Sequence, residues 1–258
     1  MERFKDKHVL ITGAGTGIGR GIALRLAEEN ALVSIVSRSE KNLSAVRSQI
    51  QSSGGNVFLH TADICSEEQI NVAVEQAVRE FGPLYGVIAN SGLGGPNSPG
   101  QGDRFLELVQ TNLIGTYQTL RAAQKCMDKD TELARHMVVI SSCLARFGVP
   151  GYTGYCASKA GLLGLVRALA VELAQNNIQV NAICPGWVDT DMATEGLNMM
   201  ANGMGISYQQ AHQQAMSVVP LGFMNKPKDI AGMVAWLISA DARGVTGQTL
   251  DINAGSWM

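Results

Sequence analysis

The chain has 258 residues, 46% of them hydrophobic and 16% charged, with a formal net charge of −2. A charge balance this close to neutral leaves no electrostatic footprint for nucleic acid, and the length can bury one large core, so a single α/β domain over residues 1–258 is expected. Five scattered cysteines, with no Cys-x-x-Cys, argue against a disulfide framework or a zinc knuckle and read as reduced thiols of a cytoplasmic protein.

The first ten residues are charged and run straight into a strand, which predicts no cleaved leader. No apolar run reaches about 18 residues, so no membrane span is expected. Short apolar runs then alternate with longer amphipathic ones. A strand at His8–Thr12 leads into a helix at Gly17–Asn30, Leu32–Ser37 into Glu40–Ser52, and Val57–Thr61 into Glu67–Phe81. The fourth strand, Leu84–Ala89, precedes a long helix within Asp103–Asp128. Met137–Ser141 precedes a helix over about Thr153–Gln175, and Ile178–Ile183 is the next strand. A helix at Lys228–Ala240 and a short strand at Thr249–Ile252 close the chain. This alternation predicts parallel βαβ units in a Rossmann-like, doubly wound sheet of about seven strands, with helices on both faces. Two stretches break the pattern. Ser91–Gln101, rich in Gly, Pro and Ser, reads as a loop; Asp189–Val219, rich in Met, Gln and Ala, reads as a partly helical lid.

The first strand ends in Thr12-Gly13-Ala14-Gly15-Thr16-Gly17-Ile18-Gly19, and a helix follows at once. Glycines there let the backbone approach a pyrophosphate, and the helix N-terminus supplies amides and a favourable dipole. The spacing is Gly-x-x-x-Gly-x-Gly, and the alternative is an ordinary tight connection. The second strand ends at Ser37-Arg38, where an acidic residue would hydrogen-bond a ribose 2′-hydroxyl. An arginine can instead grip a 2′-phosphate, which favours NADP(H) over NAD(H); a solvated arginine at a helix start is the alternative. Asp63-Ile64 follows the third strand, where the carboxylate can accept from an adenine amino group or cap the next helix, although Ser66 looks the better cap. Asn90-Ser91-Gly92 ends the fourth strand, where the strand order is expected to reverse and ligands bind; it also suits a plain polar turn.

Tyr155 and Lys159 stand four apart on a predicted helix and so share a face. An ammonium beside a phenol is expected to lower the phenol pKa toward working pH, which suits it to proton exchange with a carbonyl or an alcohol. The four histidines show no metal-ligand spacing, and no metal is expected.

Taken with Asn112, Ser142, Pro185-Gly186-x-x-x-Thr190, Val245-Thr246-Gly247-Gln248 and Asn253-Ala254-Gly255, these motifs resemble the short-chain dehydrogenase/reductase family over nearly the whole chain. The resemblance implies Tyr155 as general acid/base, Lys159 as holder of the nicotinamide ribose and Ser142 as the group that orients the substrate oxygen. It also implies that Asn112 holds a water linking Lys159 to solvent, and that Pro185, Gly186, Val188 and Thr190 line the nicotinamide. Ser141 is adjacent to Ser142 but would point the other way in an unbroken pleat. Asn90-Ser91-Gly92 replaces the commoner Asn-Ala-Gly, Asn253-Ala254-Gly255 replaces Asp-Gly-Gly, and Phe223 stands where members often carry Arg. The family commonly pairs the helices at Asp103–Asp128 and Thr153–Gln175 into homodimers and homotetramers.

A substrate pocket is expected from Leu93, Leu144, Phe147, Tyr152, Trp187 and Met192, with other lid methionines either lining it or serving as plain packing. The lid segment loosely resembles those of 3-oxoacyl and polyketide ketoreductases, which points to a 3-oxoacyl thioester. The alternatives are an NAD(H)-linked dehydrogenase of a cyclic or hydroxy-acid alcohol and a non-catalytic dinucleotide sensor or scaffold.

Overall fold

The structure, a computed structural model, describes residues 2–127 and 133–258. Seven strands form one parallel sheet: β1 (His8–Thr12), β2 (Leu32–Ser37), β3 (Asn56–Thr61), β4 (Gly86–Ala89), β5 (Arg135–Ile140), β6 (Ile178–Pro185) and β7 (Thr249–Ile252). Their order is β3-β2-β1-β4-β5-β6-β7, so the winding reverses between β1 and β4. This is the predicted single doubly wound domain.

Alternate side chains of each strand enter opposite cores. Val9 and Ile11 meet α1 (Gly17–Glu28), α2 (Glu40–Ser52) and α9 (Pro227–Leu237). Leu10 faces α3 (Glu67–Phe81), α5 (Thr116–Lys125) and α6 (Thr153–Leu173). Burial on both sides is why the strands read as continuous apolar runs. Ser39 and Ser66 cap α2 and α3 by accepting from the amides of Asn42 and Gln69, as Ser-x-x patterns before an apolar helix suggest.

The helix expected within Asp103–Asp128 is instead α4 (Phe105–Val109), a π turn at Gln110–Gly115, and α5; Asp128 lies outside the described residues. The physical reason is Asn112, whose carboxamide leaves the helix to bond both backbone groups of Leu93, accepting at 2.7 Å and donating at 3.0 Å. The segment 189–219 folds as α7 (Asp191–Met204) and α8 (Tyr208–Ser217), which share a small core of Leu197, Ala215, Met216 and Val219. Among the described residues no helix is long and apolar enough to cross a membrane.

Two histidines, His8 on β1 and His136 on β5, are buried. His8 donates from Nδ1 to the Gly82 carbonyl (2.7 Å), and in the neutral ring its Nε2 accepts from Ser34 Oγ (2.8 Å). The Tyr85 hydroxyl donates to the Ile238 carbonyl (2.6 Å), so the Nε2 of His136, 3.1 Å from that oxygen, must donate to it, while its Nδ1 is buried without a partner. Burial, reinforced by the charges of Arg135 and Lys7, pushes His136 down to about 4. Burial lowers His8 as well. An unfolded histidine takes up its proton near 6.5, so between there and about 4 the unfolded chain binds more protons and stability is lost as the pH is lowered. His136 alone should cost about 2 kcal/mol between pH 7 and 5. Urea midpoints at the two pH values check this, and His136→Gln should shrink the difference.

Candidate active site

The glycine turn between β1 and α1 is shaped by close approach. Gly13 has φ +66° and donates to the Val36 carbonyl at 2.8 Å. A Cβ on Gly19 would lie 2.2 Å from the Gly13 oxygen and 2.5 Å from Asn90 Nδ2. Asn90 Nδ2 donates to the carbonyls of Thr12 (3.1 Å) and Gly13 (3.2 Å), while Thr12 Oγ1 accepts from the amides of Asn90 and Ser91. The end of β4 is thereby laced to the end of β1, where the winding reverses. Thr16, the N-cap of α1, makes no side-chain cap, and the first turn carries no acid. The N-terminal end of α1, at Thr16, Gly17 and Ile18, faces an open cleft, an arrangement suited to a pyrophosphate.

Beside the turn, where a Cβ on Gly15 would lie 3.2 Å from Ser37 Oγ, the cleft is lined by Ser37, Arg38, Ala62, Asp63, Ile64 and Thr111. Ser37 Oγ is buried without a partner, and the exposed Arg38 forms no ion pair among the described residues. Asp63 Oδ1 accepts from the Cys65 amide (2.9 Å), folding the chain into the turn before α3. A glycine cradle with an arginine and an orphaned hydroxyl beside it fits a dinucleotide.

At the opposite end α6 presents Tyr155 and Lys159. Lys159 is buried, donates from Nζ to the Ile140 carbonyl (3.0 Å) and sits 5.7 Å from the centroid of the Tyr155 ring. Ser141 Oγ donates to the Lys159 carbonyl (2.9 Å), pinning the helix to the end of β5. Ser142 Oγ accepts from the Leu144 amide (3.1 Å), and its influence on the Tyr155 phenol favours the phenolate. Asn112 Nδ2 also donates to Ser158 Oγ (3.0 Å), so the π turn and α6 share a bond behind the two polar groups.

The electrostatics correct the sequence reading. Burial pushes the Tyr155 phenol up to about 12, and Ser142 offsets this only in part. The same burial drives Lys159 down to about 8. Spacing puts the pair on one face, but desolvation penalises both charged forms and outweighs their attraction in this cleft.

The family model described as "Enoyl-(Acyl carrier protein) reductase" matches residues 13–256. The chain belongs to the short-chain dehydrogenase/reductase family. It is 34% identical over 256 residues to the 3-oxoacyl-[acyl-carrier-protein] reductase FabG of Haemophilus influenzae, covering 98% of this chain and 99% of that one. The Staphylococcus aureus (strain Mu50) protein of the same name is 32% identical over 255 residues, with 98% of each chain covered. Among solved structures, an actinorhodin polyketide ketoreductase with NADPH superposes with a TM-score of 0.92 at 32% identity, covering 97% of each chain. Levodione reductase gives 0.91 at 31% identity, covering 98% of each chain. This short-chain dehydrogenase/reductase is therefore an oxidoreductase that works with a nicotinamide dinucleotide.

Most predicted cofactor residues share the one cleft: Gly13, Thr16, Gly17, Ile18, Ser37, Arg38, Asp63, Ile64, Asn90, Ser91, Gly92, Tyr155, Lys159 and Thr190 all line it. Gly15 opens onto an adjoining recess with Arg20, Asp189 and Pro227, and Gly19 lies beneath the turn. Pro185, Gly186 and Val188 are set back from the cleft. Pro185 pairs with Ile252 in the sheet, a Cβ on Gly186 would lie 2.8 Å from Asn253 Cα, and Val188 is buried in the core. Thr190 caps α7 by accepting from the Ala193 amide (3.4 Å), a role not read from the sequence.

Of the expected substrate wall, Leu93 and Met192 line the cleft. Leu144, Phe147, Tyr152 and Trp187 do not. Trp187 packs against the core between α7 and α8, and Phe147 stacks on Trp257 (5.6 Å). Tyr152 stands edge-on to Tyr155 at 6.4 Å, and Leu144 occupies the turn that Ser142 caps. Phe147, Tyr152 and Trp187 each find an apolar or aromatic neighbour that sequence spacing cannot foresee. Ile140 and Asp191 line the cleft and were missed, although their places at the end of β5 and at the start of the lid were a usable signal; Ser141, expected to point the other way, lines the cleft as well, whereas Ser142 does not.

Proposed function

We propose that this enzyme reduces the ketone of a 3-oxoacyl thioester with NADPH, with Tyr155 as proton donor and Ser142 holding the substrate oxygen. The supporting observation is that the Tyr155 phenol, the buried Lys159 and the glycine turn all line one cleft, with Ser142 favouring the phenolate. The bound dinucleotide supplies the hydride. The amides of Thr16, Gly17 and Ile18 hold its pyrophosphate, Ser37 and Arg38 its 2′-phosphate, Asp63 and Ile64 its adenine end, and Lys159 the nicotinamide ribose. Thr190 closes the cleft at the start of a lid formed by 189–219, with Leu93 and Met192 against the substrate. The Asn112 side chain is committed to Leu93 and Ser158, so it acts by clamping the substrate loop to α6.

A neutral carbonyl suits the site, because Arg146, in the turn after β5, is already paired. Arg146 donates to both oxygens of Asp251 (2.8 and 3.4 Å) and to the Thr249 carbonyl. The 3-oxoacyl thioester reading is supported by the FabG relatives and the polyketide ketoreductase. Exposed Leu106 on α4 and Val171 on α6 support homodimers or homotetramers through these helices.

Initial rates with a 3-oxoacyl thioester and a cyclic ketone, each with NADPH and NADH, test the reading. A preference for the thioester with NADPH is expected, and turnover of the cyclic ketone alone would overturn the substrate class. Arg38→Asp should lower kcat/KM for NADPH by about 30-fold and raise it for NADH, because a carboxylate repels the 2′-phosphate and accepts from a 2′-hydroxyl. An unchanged ratio would remove Arg38 from phosphate recognition.

A further inference from the structure

Helix α6 begins without a side-chain cap of its own. Its N-cap residue, Tyr152, makes no cap bond, and the first turn holds no acid. The missing cap arrives from outside the helix. Asn97, in the loop between β4 and α4, is only 6% exposed, and its Oδ1 accepts from the Gly154 amide at 2.8 Å. The Thr153 hydroxyl lies 3.1 Å from Oδ1 and 3.0 Å from Nδ2, and Nδ2 also donates to Asp103 Oδ1 (3.0 Å). Asp103 Oδ1 in turn accepts from the Phe105 amide at the start of α4 (3.0 Å), and the Asn97 backbone amide donates to the Gly151 carbonyl (2.8 Å). The fit is tight: a Cβ on Gly154 would lie 3.0 Å from Phe105 Cα and 3.2 Å from Asn97 Oδ1.

Gly154 immediately precedes Tyr155. At its other end the same loop is clamped by Asn112 to Leu93, which lines the cleft, and Gly94 lies directly under the Met192 sulfur. We propose that Asn97 is a positioning residue for Tyr155, a surrogate cap that fixes the first turn of α6 against the loop bearing Leu93 and so sets the phenol relative to the bound ketone. The inference rests on the reading of Tyr155 as proton donor.

The test is a set of variants with two readouts. Asn97→Ala should lower kcat by about 10- to 30-fold, the range expected when a supporting group shifts an acid by a fraction of an ångström. The NADPH dissociation constant, read by fluorescence titration of the protein without substrate, should change less than about twofold. On a Tyr155→Phe background, Asn97→Ala should cause no further loss, because groups that act as a unit are not additive. The exchange of Asn97→Asp with Asp103→Asn reverses the polarity of that hydrogen bond while keeping the acceptors for Gly154 and Thr153, and should restore turnover lost in Asn97→Asp alone. If Asn97→Ala does not fold, Thr153→Val removes one arm of the network and should show the same non-additivity at a smaller amplitude. Losses that multiply with Tyr155→Phe, or unchanged turnover in Asn97→Ala while Tyr155→Phe is impaired, would overturn the role of Asn97 and leave the proton donor standing. Full turnover in Tyr155→Phe would overturn both.

Discussion

Tyr155→Phe is expected to lower kcat by about two to four decades while NADPH affinity stays within about twofold. The substitution keeps the ring, its edge contact with Tyr152 and the first turn of α6, and removes only the hydroxyl. A loss of that size is about 3–5 kcal/mol of transition-state stabilisation, far more than the packing change can supply. The pH dependence separates the two directions. With the phenol pushed up to about 12 in the unliganded protein, it is protonated at neutral pH and ready to donate, which favours reduction. Lys159, lowered to about 8, loses its charge as pH rises through that value. Reduction should therefore be flat through neutrality and fall on the alkaline side, whereas alcohol oxidation, which needs the phenolate, should rise with pH. Initial rates from pH 6 to 10 in both directions measure this. Undiminished turnover in the variant would remove Tyr155 from the chemistry.

The sequence discloses the sheet well because the signal is redundant. The inner strands are apolar runs buried on both faces, and α2 and α3 each open with a serine that caps them. The site is legible wherever function needs a residue type at a fixed place in the winding. The glycine turn, Asn90 and the Tyr155–Lys159 pair belong to this class, and all meet in one cleft. What escaped depends on tertiary partners. The π turn exists because Asn112 finds Leu93 nineteen residues away, and Trp187 leaves the pocket because α7 and α8 offer it a core. The pKa of Tyr155 escaped for another reason: spacing reports the attraction between two groups, whereas burial, which here outweighs it, is known only once the cleft is built. Ala254 is a further case. It replaces a glycine common in the family yet adopts φ +53°, a conformation that costs a residue with a Cβ about 1 kcal/mol.

Gly19→Ala should weaken NADPH binding by about a hundredfold or more and lower thermal stability, although residue 19 does not itself line the cleft. The added methyl would sit 2.2 Å from the Gly13 oxygen and 2.5 Å from Asn90 Nδ2, distances that no rotamer change can relieve because one obstacle is backbone. Relief requires the turn to lift from α1. Lifting it breaks the bonds from Asn90 to the Thr12 and Gly13 carbonyls, and with them the lacing of β1 to β4 at the reversal. The amides of Gly17 and Ile18 then lose their fixed aim at the pyrophosphate, and strain of about 3 kcal/mol translates into the predicted loss of affinity. Gly203→Ala, where the same methyl meets nothing within 4 Å, serves as the matched control and should bind NADPH normally. Fluorescence titration of both variants decides the matter. Wild-type affinity in Gly19→Ala would mean that the dinucleotide does not depend on this turn, and the cleft would have to be assigned to another ligand.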